Sequence, residues 1–75
     1  MMEKVVPESK LSSVAEDIAR FVIDSGLVER GEGEFWLVNL GAEVAFEADT
    51  RGFENATEIA EEAVRIHRKR ISSGS

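Results

Sequence analysis

The segment EFWLVNLGAEVAFEA, residues 34–48, decides how the chain folds. Apolar and polar side chains alternate along it, and a period of two is typical of a β-strand with one buried face. A two-residue turn at Leu40-Gly41 or at Gly41-Ala42 joins two strands, and either register keeps the same residues together. The segment therefore predicts a β-hairpin with an inner face of Phe35, Leu37, Val44, Phe46 and Ala48.

Helical patterns flank this hairpin on both sides. Residues 10–25 repeat apolar side chains three or four apart, and Gly26 then supplies the left-handed conformation that ends many helices. Residues 56–70 show the same spacing, and Asn55 with Glu58 has the separation of a capping box. We therefore expect two amphipathic helices. The second one turns the following residues inward: Ala56, Ile59, Ala60, Ala63, Val64, His67 and Ile71.

The order of these elements predicts an α+β fold: helix, β-hairpin, helix, with the helices packed on an antiparallel sheet. A two-stranded sheet is marginal alone, so residues 27–30, the N-terminal EKVV or a second copy of the chain is expected to extend it. The predicted boundaries are a partly extended or disordered segment at 1–9, one α-β-β-α domain at 10–71 and a disordered tail at 72–75.

Composition narrows the class of protein. The 75 residues contain no cysteine, which excludes disulfides and thiolate metal sites and fits a cytoplasmic location. No apolar run has the length of about 20 residues that crosses a bilayer, so no membrane contact is expected. Five basic and fifteen acidic side chains fall in residues 1–64, a net charge of −10, and the remainder carries +4. The chain is therefore strongly dipolar.

Patterns that carry catalysis are missing. The sequence has no P-loop, no H-E-x-x-H and no G-x-S-x-G, and GEGEFW at 31–36 has two glycines where a dinucleotide loop needs three. The single histidine, His67, belongs to the inner stripe of a helix near its C-terminus, where packing and complementing the helix dipole explain it. Glu43, Glu47 and Asp49 lack a paired base or further ligands. We expect no enzyme, no cofactor, no metal and no small-molecule substrate.

The outer face of the predicted hairpin suggests an interaction surface. Trp36, Val38 and Leu40 lie there beside Glu43 and Glu47, and tryptophan is enriched where protein partners anchor. Two interpretations stay open, because a helix of the same chain can also cover this face. The functional one is a small acidic protein interaction module, a homodimer that docks through these residues or binds another protein.

Two further hypotheses follow from charge. The basic end of the second helix, which can grip phosphates, suggests a nucleic-acid-associated accessory or regulatory protein. The acidic block at 1–64 suggests an inhibitor that occupies the nucleic-acid-binding groove of a larger protein. The candidate contacts of the basic end are Arg65, Arg68, Lys69 and Arg70.

IDSGLVERGEGEFWLVNLG, residues 23–41, resembles the end of a recognition helix and the wing of winged-helix transcriptional regulators. The resemblance covers nineteen residues and implies contact with DNA through this segment. The segment departs from the pattern in two respects. No turn splits residues 10–25 into two helices, and acidic residues such as Asp24 and Glu34 stand where a phosphate reader carries lysine or arginine.

Overall fold

The computed structural model describes residues 4–73 and contains three helices. They are α1 (Glu8–Asp24), α2 (Trp36–Thr50) and α3 (Ala56–Ser73). Within residues 4–73 there is no strand, only an isolated parallel bridge between Lys4 and Phe53. The predicted α+β fold with an antiparallel sheet is therefore wrong, and no strand forms at 27–30. The described chain is a helical domain.

The segment predicted to be a hairpin is the helix α2. From Leu37 onward its buried side chains follow one another at intervals of three or four residues, the spacing of a single helix face. A helix also forms its backbone hydrogen bonds within itself, whereas a two-stranded hairpin leaves both outer edges unpaired. The residues that α2 buries after Trp36 are Leu37, Leu40, Val44 and Ala48.

The first helix begins and ends close to its predicted limits. Pro7 precedes α1, and its carbonyl accepts a hydrogen bond from the Lys10 amide at 2.9 Å. Gly26 has a φ of +82°, the left-handed conformation expected after the helix. The amides of Leu27 and Val28 then donate to the Val22 carbonyl at 3.0 and 3.2 Å. The predicted helix and its glycine stop are confirmed.

The start of α3 is held by the N-terminal segment. The side chain of Asn55 accepts a hydrogen bond from the Val6 amide and donates one to the Val6 carbonyl, both at 3.0 Å. Its predicted role in a capping box with Glu58 is therefore replaced by a contact between distant parts of the chain. At the other end, α3 continues through Ser73, so residues 72 and 73 of the predicted tail are helical. Residues 1–3, 74 and 75 of the predicted terminal segments lie outside the described part.

The second and third helices form an antiparallel hairpin of helices. At one end the Trp36 ring meets the His67 ring, with centroids 5.7 Å apart. Further along, Gly41 lies against Val64. Residue numbers rise on α2 as they fall on α3, which defines the antiparallel pairing. This pair is the most extensive helix contact in the domain.

Helix α1 lies across this pair. Glu16 forms an ion pair with Arg70 near the end of α3, whereas the Phe21 ring lies 5.1 Å from the Arg51 guanidinium carbon, just beyond the opposite end of the pair. The face of α1 between these contacts is buried. The apolar core of the described residues consists of Val6, Ala15, Ile18, Ala19, Val22, Val28, Trp36, Leu37, Leu40, Val44, Ala48, Ile59, Ala60 and Ala63.

Candidate interaction surface

The three residues predicted to form the docking face lie on different sides of α2. Trp36 is 9% exposed and Leu40 is fully buried, whereas Val38 is 73% exposed. Positions 36 and 40 lie one turn apart on the inner side of α2, and position 38 points away from it. Trp36, Val38 and Leu40 therefore do not share one contact face as predicted, because the sheet that would align them does not form.

Trp36 is a core residue with an unusual environment. Its ring meets His67 edge to face at an interplanar angle of 83°. The Gly31 backbone packs beside it, since a Cβ on Gly31 would lie 3.7 Å from the Trp36 Cβ. The buried Nε1 has no hydrogen-bond partner within residues 4–73. The indole is thus held by packing.

The outer side of α2 is apolar as well. Phe35 and Phe46, both predicted to be core residues, are 90% and 69% exposed. Together with Val38 and Ala42 they follow one side of the helix at intervals of three, four and four residues. We call this set the α2 stripe. The sequence contained the signal, because the same spacing marks the stripe once the segment is treated as a helix.

An open apolar groove between α2 and α3 adjoins the stripe. It has a volume of about 270 Å³ and is lined by Gly41, Ala60, Glu61, Val64 and Arg68. Arg68 donates from Nε to Glu34 at 3.1 Å. Glu34 in turn lines a shallow depression with Phe35 and Val38 of the stripe. The ion pair therefore connects the stripe to the groove, which we call the α2–α3 groove, on one continuous surface.

The predicted acidic rim is only partly available. Glu47 accepts a hydrogen bond from Arg51 Nε at 2.8 Å, one turn further along the chain. Glu43 is half-buried and takes part in no ion pair within the described residues. The negative charge beside the α2 stripe is therefore reduced at Glu47 and retained at Glu43.

The basic end of α3 is largely neutralised inside the domain. Three of its four cations form ion pairs with carboxylates of the same chain, and Lys69 forms none within residues 4–73. A phosphate backbone would have to compete with these carboxylates, so the pairs weigh against nucleic-acid contact at this end. The pairs are Arg65 with Glu62, Arg68 with Glu34 and Arg70 with Glu16.

Glu62 shows how firmly one of these pairs is held. Hydrogen bonds from Arg65 and from the Ser12 hydroxyl lower the pKa of Glu62 to about 2. The same contact raises the pKa of Arg65. Because Ser12 belongs to α1, this carboxylate also joins α1 to α3. The acidic residues of this region are thus engaged in the fold itself.

His67 is 6% exposed, which confirms that it faces inward. Burial and then the charges of Arg70 and Arg30 lower its pKa, opposed by Glu16. The imidazole is therefore neutral at pH 7, and the predicted charge–dipole role is replaced by packing. Within residues 4–73, no group of three or more His, Cys, Asp or Glu side chains has the geometry of a metal site.

Membrane spans and similarity to known proteins give no indication of function. No helix in the described residues is both long and apolar enough to cross a membrane. The chain matches no protein-family model, no curated protein and no solved structure. Residues 34–48 form no wing, so the resemblance to winged-helix regulators does not extend to the fold.

Proposed function

We propose that the protein is a small helical interaction module that forms a homodimer through the α2 stripe and the α2–α3 groove. The observation that carries the proposal is the exposure of Phe35, Val38 and Phe46 on one side of a single helix. A surface helix ordinarily turns polar residues outward, and a helix that is apolar on all sides is usually buried. In the monomer only one side of α2 is buried.

The spacing of the stripe suits a helical partner. Intervals of three and four residues produce the apolar seam by which helices pair. Phe35 and Phe46 supply the large side chains that dominate interface energetics, each burying roughly 150–250 Å² when fully covered. A standard interface buries about 800 Å² on each partner. Because these two rings are 90% and 69% exposed in the monomer, they contribute about a third to a half of that area. The remaining interface area comes from Val38, Ala42 and the groove.

A second copy of the chain fits this surface for a geometric reason. A twofold dimer uses the same patch on both copies, so the patch must contain both a projection and a recess. The α2 stripe projects, and the α2–α3 groove beside it is recessed because Gly41 and Ala60 carry little or no side chain. In the proposed dimer, a twofold rotation lays each stripe in the opposite groove. The cysteine-free chain suits a cytoplasmic module.

Sedimentation velocity over a concentration series tests this proposal. We expect the parent to shift from monomer to dimer, and Phe35→Ser and Phe46→Ser to remain monomeric at concentrations where the parent is dimeric. Phe21→Ser is the matched control, because Phe21 is also a partly exposed phenylalanine but lies on α1 against Arg51. It should dimerise like the parent.

The result that overturns the homodimer is a parent that sediments as a monomer up to about 1 mM. Association weaker than that corresponds to less than about 4 kcal/mol. Equal loss of dimer in Phe21→Ser and Phe35→Ser also overturns it, because the effect then does not belong to the stripe. In either case the exposed stripe is left to a partner other than the chain itself.

A further inference from the structure

A polar pocket lies where α1 meets the last turns of α3. It encloses about 110 Å³, and its charged lining consists of Glu16, Arg20, Asp24, Arg30 and Arg70 around His67. None of these residues belongs to the α2 stripe or to the α2–α3 groove. Three cations against two carboxylates leave the lining with a charge of +1, in a chain whose net charge is −6. The pocket is thus a positive site on an acidic protein.

Two of the three guanidinium groups are available to a ligand. Arg70 is held by Glu16, but Arg20 and Arg30 form no ion pair within residues 4–73. Both are exposed at the pocket. A planar guanidinium recognises oxyanions such as phosphate and carboxylate through paired N–H donors. Arg20 and Arg30 therefore favour an oxyanion as the ligand of this pocket.

His67 supplies a further polar side chain at the same place. It is 6% exposed and lines the pocket, yet it forms no hydrogen bond with the described residues. Its ring also makes an edge-to-face contact with Trp36. A neutral imidazole carries one N–H donor and one acceptor nitrogen. Neither ring nitrogen of His67 is fully enclosed by the described residues, so both are open to a ligand in the pocket. A ligand oxygen in the pocket would accept a hydrogen bond from this N–H.

We propose that this pocket binds a phosphate group, with Arg20 and Arg30 holding its oxygens and His67 donating a further hydrogen bond. The volume is far below the roughly 300–1,000 Å³ of a pocket for a drug-sized molecule, so only the headgroup enters. Asp24 faces the same space and repels an anion. We therefore expect millimolar affinity for inorganic phosphate alone.

The single histidine makes the test specific. The imidazole Cε1–H signal in a proton NMR spectrum belongs to His67 alone. We expect this signal to shift saturably as inorganic phosphate is added at pH 7, relative to sodium chloride at equal ionic strength. O-phosphoserine forms a second arm. Saturation by both probes indicates recognition of the free headgroup, and saturation by O-phosphoserine alone indicates that a phosphate ester is the ligand.

Charge-removing variants locate the site. Arg20→Gln and Arg30→Gln should each weaken phosphate binding about tenfold, the effect of losing one charge-assisted hydrogen bond. Arg65→Gln is the matched control, because it removes the same charge from a residue outside the pocket that pairs with Glu62. Circular dichroism should show unchanged helix content in all three variants, because these arginines are exposed.

Two results overturn the proposal. The first is a His67 shift that rises linearly with both phosphate probes or matches the sodium chloride series. The second is an equal loss of affinity in Arg65→Gln and Arg30→Gln, because binding would then reflect the overall charge of the protein. Neither result depends on dimerisation, so this proposal and the homodimer succeed or fail separately.

Discussion

Gly41 on α2 lies so close to Val64 on α3 that a Cβ added at Gly41 would be 3.1 Å from the Val64 Cγ2. This distance is shorter than an ordinary contact between two carbon atoms. Because Gly41 has no side chain, the two helices can approach closely. Gly41 also forms part of the floor of the α2–α3 groove. A glycine that the sequence placed in a turn instead belongs to a helix–helix contact.

The Gly41–Val64 contact predicts a context-dependent effect of Gly41→Ala. Alanine favours a helix interior by about 1 kcal/mol over glycine, but here its methyl group presses on Val64. We expect Gly41→Ala to be nearly neutral in the parent and to stabilise a Val64→Ala background by about 1 kcal/mol. Urea unfolding of the four proteins measures this coupling. Equal effects in both backgrounds would show that Gly41 does not limit the approach of the helices.

The outer two helices were predictable and the central one was not, for a physical reason. In α1 and α3 the apolar residues occupy one side only, so the helical period is plain. In α2 they occupy both sides. Leu37, Val44 and Ala48 lie on one helix face, and they also share one face of a hairpin that turns near residue 41. Gly41 also favours a turn in the sequence, whereas in the structure a glycine at this position permits the close contact with Val64.

The error in the candidate surface follows from the same period of two, because strand alternation puts residues 35 and 46 on the inner face and residue 36 on the outer one. Hydrophobicity alone does not correct this error, since much of a folded protein's surface is apolar. Phe35 and Phe46 were therefore placed in the core, and Trp36 was placed outside it. The pocket around His67 could not be predicted from sequence, because residues 20, 30 and 67 meet only through tertiary packing.

Two substitutions on α2 distinguish its inner and outer sides. Leu40→Ala should lower the free energy of unfolding by about 2–5 kcal/mol, because it opens a cavity in the core. Val38→Ala, only two residues away, should change it by less than about 0.5 kcal/mol when measured at low protein concentration. In the hairpin interpretation both residues share one face. Similar losses from both substitutions would therefore contradict the helical register of α2.

His67 predicts a loss of stability in mild acid. Its folded-state pKa is lowered from 6.5 by burial and by Arg70 and Arg30, and Arg20, Glu16 and Asp24 also line its pocket. The unfolded chain therefore binds the proton more readily than the folded chain does. The stabilising contribution of the neutral ring to the free energy of unfolding is complete above pH 6.5 and is lost as the pH falls below that value. His67→Gln should remove this part of the slope. An identical slope in parent and variant would contradict the lowered pKa.

The proposed dimer should strengthen as salt is added. Each copy carries a net charge of −6, so two copies repel one another, whereas the stripe and groove that join them are mainly apolar. Screening shortens the range of repulsion to about 8 Å at physiological ionic strength. Sedimentation at low and high sodium chloride should show a larger dimer fraction in high salt. A dimer that dissociates in high salt would instead indicate an interface of ion pairs.

The most direct measurement is an isotope-filtered NOE experiment on a mixture of labelled and unlabelled protein, which detects only contacts between copies. Each α2 stripe is proposed to lie in the α2–α3 groove of the other copy. We therefore predict intermolecular NOEs from Phe35 and Val38 protons to the Val64 methyl groups. A dimeric sample in which the intermolecular NOEs come from other surfaces, with none from the α2 stripe, would contradict this account.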